Sequence, residues 1–200
     1  MSCGESNHFH RTETLIFLLL TIWGVAQGQV TVFYIIYLFW FRELTRTIID
    51  ILYAYRNGKE DGKQPGLKEI CGNILILFIY LVFIVLLFGF MLNWNNRELL
   101  FTNMQTLVFR NLCFNLNVSL FILQYALYRK SAGKKGLDIA VFGKSHIILH
   151  ISIIVGALIQ MGFVKRYPGY FSGGELWGSA LVVLPFLLLK IWIGRAARNS

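Results

Sequence analysis

Two histidines one helical turn apart, His146 and His150, are the residues of this chain whose spacing most suggests chemistry. At i, i+4 they share one face of a helix, and imidazole combined with carboxylate suits several divalent metals. The carboxylates on offer are Glu43 and Asp50, interleaved with Arg42 and Arg46. Glu43 and Arg46 are i, i+3, and Arg46 and Asp50 are i, i+4, so each acid also has a partner on its own helix. With Gln124 and Lys190, these residues form a candidate polar cluster: Arg42, Glu43, Arg46, Asp50, Gln124, His146, His150 and Lys190. The expectation for His146 and His150 is helix packing, with metal binding as the alternative. A haem between helices needs a histidine from each side, and only one apolar segment supplies any, so no cofactor is expected.

A second polar group is neutral: Asn111, Asn115 and Asn117, with Asn111 and Asn115 at i, i+4. Buried amides join neighbouring helices at ~0.6–2 kcal/mol each inside a membrane. That is the expected role here, and a polar path for a solute or ion is the alternative. No HExxH, P-loop, GxGxxG or nucleophile elbow occurs, so no catalytic residue is assigned.

The elements that must position these residues are apolar runs. The chain is 200 residues long, 56% hydrophobic and only 14% charged, against ~25% charged in a soluble domain. Mean hydropathy is +0.59. The pattern predicts an all-α, polytopic transmembrane helix bundle, one membrane domain over 1–200 with about six spans: 15–27, 30–49, 71–94, 105–128, 145–164 and 176–193. The first two are read as a hairpin that turns at Gln27-Gly28-Gln29; the rival is one tilted helix from Leu15 to Phe41. On the hairpin reading the second span carries Arg42, Glu43 and Arg46 below the membrane surface, where they need partners. Alternatively the helix leaves the membrane at Trp40 with a solvated ladder of charges. Pro185 is expected to kink the last span. The first apolar segment is expected to be retained, because Trp23 to Gln27 is a poor cleavage site.

The net charge of +9 resides in short loops rather than on a nucleic-acid-binding fold, and nucleic acid is not expected as a partner. Loops 56–70 and 129–144 hold 4 and 5 basic residues and the tail after Ile193 holds 2, whereas loops 93–104 and 165–175 hold 1 and 2. The positive-inside rule therefore predicts a cytoplasmic C-terminus and, with six spans, a cytoplasmic N-terminus. His8 and His10 belong to a polar terminus. Cys3, Cys71 and Cys113 show no ligand spacing and are expected as free thiols.

The segments TVFYIIYLFWFRELTRTIID, LFIYLVFIVLLFGF, HIILHISIIVGALI and PFLLLKI resemble an uncharacterised family of bacterial integral membrane proteins, a domain of unknown function common in Bacteroidetes such as flavobacteria. The matching positions are Phe39, Trp40 and Glu43, then Leu149, His150, Ile153 and Gly156, and finally Lys190. The third span lacks the histidine that many relatives carry, and Gly194 stands near where they often have an acid. The resemblance implies a short first span followed by the acidic helix and a place in the bacterial inner membrane, and it brings no reaction. The expectation is a non-enzymatic structural or accessory membrane component whose partners are the lipid bilayer and a second copy or another membrane protein. A small-solute or ion transporter or channel subunit is the alternative, and a metal-dependent membrane enzyme the third.

Overall fold

The computed structural model describes residues 19–24, 26–27, 30–57, 66–132, 144–164 and 166–167. The last expected span, 176–193, with Pro185 and Lys190, lies outside the described residues, as do His8, His10 and the loop 133–143. All secondary structure among the described residues is helical. The long helices are α1 (Val32–Asn57), α2 (Leu67–Ile84), α4 (Leu112–Ala132) and α5 (Lys144–Ile159), with a shorter α3 (Arg97–Leu107) between α2 and α4. Helical residues 19–24 precede them and are separated from α1 by a turn at Gln27 and the non-helical residues Val30 and Thr31. A single helix running from Leu15 to Phe41 is therefore not formed.

The bundle is built around α1. Seven consecutive residues, Val32 to Leu38, are at most 4% exposed, which a helix achieves only when it is enclosed on every side. Its start is fixed by Thr31, whose Oγ1 accepts from the Tyr34 backbone N–H at 3.1 Å, satisfying one of the donors a helix start leaves open. Contacts along α1 give its neighbours their direction. Phe33 lies against Gly89 and the Trp40 indole N–H donates to the Leu77 carbonyl at 2.7 Å, so α2 runs antiparallel to α1. Asn117 meets Tyr34 and Arg129 meets Asp50, so α4 runs parallel to it. Gly156 of α5 packs on Ile36 and Val32 of α1. The end of α1, the start of α2 and the end of α4 consequently lie at one end of the bundle.

The expected fourth span, 105–128, is two helices. Leu107 ends α3, and the Phe109 and Arg110 backbone N–H groups donate to the Thr106 and Gln105 carbonyls at 3.2 and 2.8 Å. This is the paired C-terminal closure that usually places glycine in the left-handed seat. Here Phe109 takes that seat, at φ 58°, which costs a bulky residue of order 1–2 kcal/mol. Its ring contacts Phe41 and Phe114 at centroid distances of 5.3 and 5.8 Å, and its carbonyl accepts from Asn115 Nδ2 at 2.6 Å. Asn111 then starts α4, its Oδ1 accepting from the Phe114 N–H at 3.0 Å. Asn111 and Asn115 thus build the break rather than one face of a continuous helix.

α2 continues beyond Ile84 through a wide π-helical turn, Val85–Phe90, and a tight 3-10 turn, Met91–Asn93. Two stretches are long and apolar enough to cross a membrane, Leu67–Asn93 and the interrupted Arg97–Lys130. Only 22% of the most apolar window of the first is buried, with Leu75, Phe78, Ile79 and Leu86 more than half exposed. A soluble protein would cover such a helix. The distribution points to a membrane location.

Candidate functional site

α1 carries polar groups at both ends, and each end meets different partners. At its start, the Thr31 hydroxyl donates to Asn103 Oδ1 on α3 at 2.8 Å. Asn103 Nδ2 in turn donates to the Phe88 carbonyl at 3.2 Å, and Asn93 Nδ2 donates to the same carbonyl at 2.7 Å. The wide turn through Val85–Phe90 interrupts the regular ladder, and the two asparagines bond a carbonyl within it. One turn further along α1, the Tyr34 hydroxyl accepts from Asn117 Nδ2 at 3.1 Å, tying α1 to α4. Asn117 is therefore the residue of the three that joins helices.

The other end is charged. Arg129 is 1% exposed and Asp50 7%, and Arg129 Nε donates to Asp50 Oδ1 at 2.6 Å. The Tyr125 hydroxyl donates to the same oxygen at 2.9 Å. An enclosed guanidinium and carboxylate are tolerated only when paired in this way. Beside this triad the Arg42 guanidinium carbon sits 4.6 Å from the Phe121 ring centre. That of Arg46 lies 5.9 Å from Phe121 and 5.7 Å from Tyr125, which is cation–π range. Glu43 is buried at 9% exposure, while Arg42, Arg46 and Gln124 are half-buried.

The sequence-derived cluster is thus brought together in part. Arg42, Arg46 and Asp50 meet at the α1–α4 contact. Asp50 is joined by Arg129 and Tyr125 of α4. His150, exposed, meets Tyr80 of α2, with 3.2 Å between its Nδ1 and the tyrosine hydroxyl oxygen. The side chain of His146, like Lys190, lies outside the described residues. Among the described residues no three His, Cys, Asp or Glu side chains converge where they could hold a metal ion, and Asp50 Oδ1 is occupied by Arg129 and Tyr125.

Sequence reasoning missed Arg129, which it counted as a loop charge, and Tyr125. The signal was spacing: Phe114, Val118, Phe121, Tyr125 and Arg129 recur at intervals of four, three, four and four, which is one stripe of a helix. Extending the stripe by one turn makes Arg129 an interior residue. No family model, no curated protein and no solved structure matches the chain.

Proposed function

We propose that the chain is a multi-pass α-helical protein of the bacterial inner membrane that acts as a non-enzymatic structural or accessory component through its helix contacts. One observation carries this reading. Inward-facing polar side chains bond across helix pairs at three places, Thr31 to Asn103, Tyr34 to Asn117 and Asp50 to Arg129, while the surfaces of α2 and α4 turn apolar groups outward. Polar groups used to join helices, under a lipid-compatible exterior, are what a membrane scaffold requires. The resemblance to the Bacteroidetes membrane family belongs to the same reading, as do about six spans and an assembly with a second copy or another membrane protein.

The cytoplasmic side is assigned to the end where α1 and α4 finish and α2 begins. Arg56, Lys68, Arg129 and Lys130 collect there, and short cationic loops stay inside. The C-terminus is placed on that side by the same rule.

The test is made on full-length protein in its host membrane. It is expected to stay in the membrane fraction after alkaline carbonate, and a cysteine introduced by Glu60→Cys is expected to react with impermeant maleimide only after the cytoplasmic face is opened. Release by carbonate would defeat the membrane assignment. Solute or ion flux in proteoliposomes that is lost in Arg46→Gln would replace the structural role with transport through the charged end.

A further inference from the structure

We propose that the chain forms a two-fold symmetric dimer where α2 meets α5, the Tyr80–His150 pair of each copy bonding to that of the other; this rests on the membrane reading above and names a second copy as the partner. Tyr80 stands 13 residues from either end of the apolar stretch Leu67–Asn93, or ~20 Å at 1.5 Å per residue, which is the middle of a membrane. His150 lies at the same depth, its Nδ1 3.2 Å from the Tyr80 hydroxyl oxygen. The histidine is exposed and the tyrosine half-buried. Among the described residues neither has a hydrogen-bond partner besides the other. Acyl chains offer none, and polar groups left open at that depth are costly.

In its neutral form the pair leaves the same two groups open whichever ring nitrogen carries the proton. If the Tyr80 hydroxyl donates to Nδ1, the Nε2–H remains as a donor and the hydroxyl oxygen as an acceptor. If the Nδ1–H donates to the hydroxyl, the tyrosine O–H remains as a donor and Nε2 as an acceptor. One donor and one acceptor are left in either case. A two-fold axis along the membrane normal brings each residue to its own counterpart at the same depth. A pair with one open donor and one open acceptor is then its own complement, each copy donating once and accepting once. The surface beside the pair suits such a contact. On α5 the His150 line continues at i+4 and i+8 through Ile154 and Leu158, 50% and 66% exposed. On α2, Phe83 at i+3 from Tyr80 is 46% exposed. Residues 70–96 and 145–164 include no Asp, Glu, Lys or Arg, so no like charges oppose a second copy on this face.

The experiment counts copies of the full-length protein in phosphatidylcholine bilayers by single-molecule photobleaching as the protein is diluted in lipid. Wild type is expected to be a dimer. His150→Leu should raise its dissociation constant about sevenfold, the equivalent of two interhelical hydrogen bonds at ~0.6 kcal/mol each. His150→Gln keeps a donor and an acceptor and should stay closer to wild type. Where His150→Leu does not fold, crosslinking supplies the test. In a Cys3→Ser/Cys71→Ser background that keeps the buried Cys113, Ile154→Cys should give a disulfide-linked dimer on oxidation. Leu123→Cys, at a similarly exposed position on α4, should not. Monomeric wild type overturns the proposal, as does a dimer that crosslinks through Leu123→Cys instead of Ile154→Cys or that His150→Leu leaves unchanged. A monomer whose organic extract holds a lipid-soluble carbonyl compound, lost in His150→Leu, would replace the second copy with a small ligand. Carbonate release of the protein overturns the membrane reading and this dimer together, whereas a membrane-retained monomer overturns the dimer alone.

Discussion

The two ends of α1 solve the same problem with different chemistry. Both bury polar groups against neighbouring helices. The starting end uses neutral partners, Thr31, Asn93 and Asn103, around a backbone carbonyl in the wide turn of α2. The finishing end uses full charges, Asp50 and Arg129, with Tyr125. A neutral amide that loses its partner leaves one unsatisfied hydrogen bond, of order 1–3 kcal/mol. A buried charge that loses its partner leaves an uncompensated ion. The charged end should therefore be the brittle one and the neutral end the forgiving one.

Removing Asp50 tests the contrast at its strongest. Asp50→Ala should destabilise the protein by ~3–5 kcal/mol by stranding Arg129, read as a lowered Tm in mild detergent or loss of monodisperse protein. Combining it with Arg129→Leu should recover most of that loss, since an apolar pair of similar volume is tolerated where a lone charge is not. A double variant no better than the single one would mean that the ion pair is not what Asp50 supplies. At the neutral end, Asn103→Ala should cost only ~1–2 kcal/mol. The Phe88 carbonyl keeps its bond from Asn93, and the Thr31 hydroxyl is the group left to find a new acceptor. A cost as large as that of Asp50→Ala would erase the distinction between the ends. The smallest effect is expected where Tyr80→Phe removes the bond to the exposed α5 histidine, His150. There, ~0.6 kcal/mol is typical of a single polar contact between membrane helices, and a shift of more than about 2 kcal/mol would assign His150 a larger role than helix packing.

Helical class, the unbroken run from Val32 to Asn57 and the break after Gln27 were legible because they depend on local composition. Apolar periodicity, the absence of proline or glycine through Arg56, and the Gln27-Gly28-Gln29 cluster all act within a few residues. The break at Phe109 was hidden for the converse reason. Its left-handed residue is a phenylalanine rather than a glycine, and what sustains it is packing against Phe41, 68 positions away in sequence. Of the charged cluster, Arg42, Arg46 and Asp50 were legible as groups that need partners. Arg129, the partner of Asp50, was not, because an arginine beside a basic loop reads as a topology signal. Only the stripe that runs through Phe121 and Tyr125 reveals it as interior. The amides divide in the same way. Asn117 joins two helices as its type suggests, while Asn111 and Asn115 are spent on the break between α3 and α4, which no spacing rule announces.

The distance along the chain between Asp50 and Arg129 has a consequence in time. They are separated by 79 residues, so at a synthesis rate of ~5–20 residues per second the carboxylate is made roughly 4–16 s before its cation. For that interval the helix destined for the middle of the bundle carries an acid whose permanent counterion has not been translated. α2, which needs no such partner, is completed first. The innermost helix of the finished protein thus gains its charged partner only once α4 has been made.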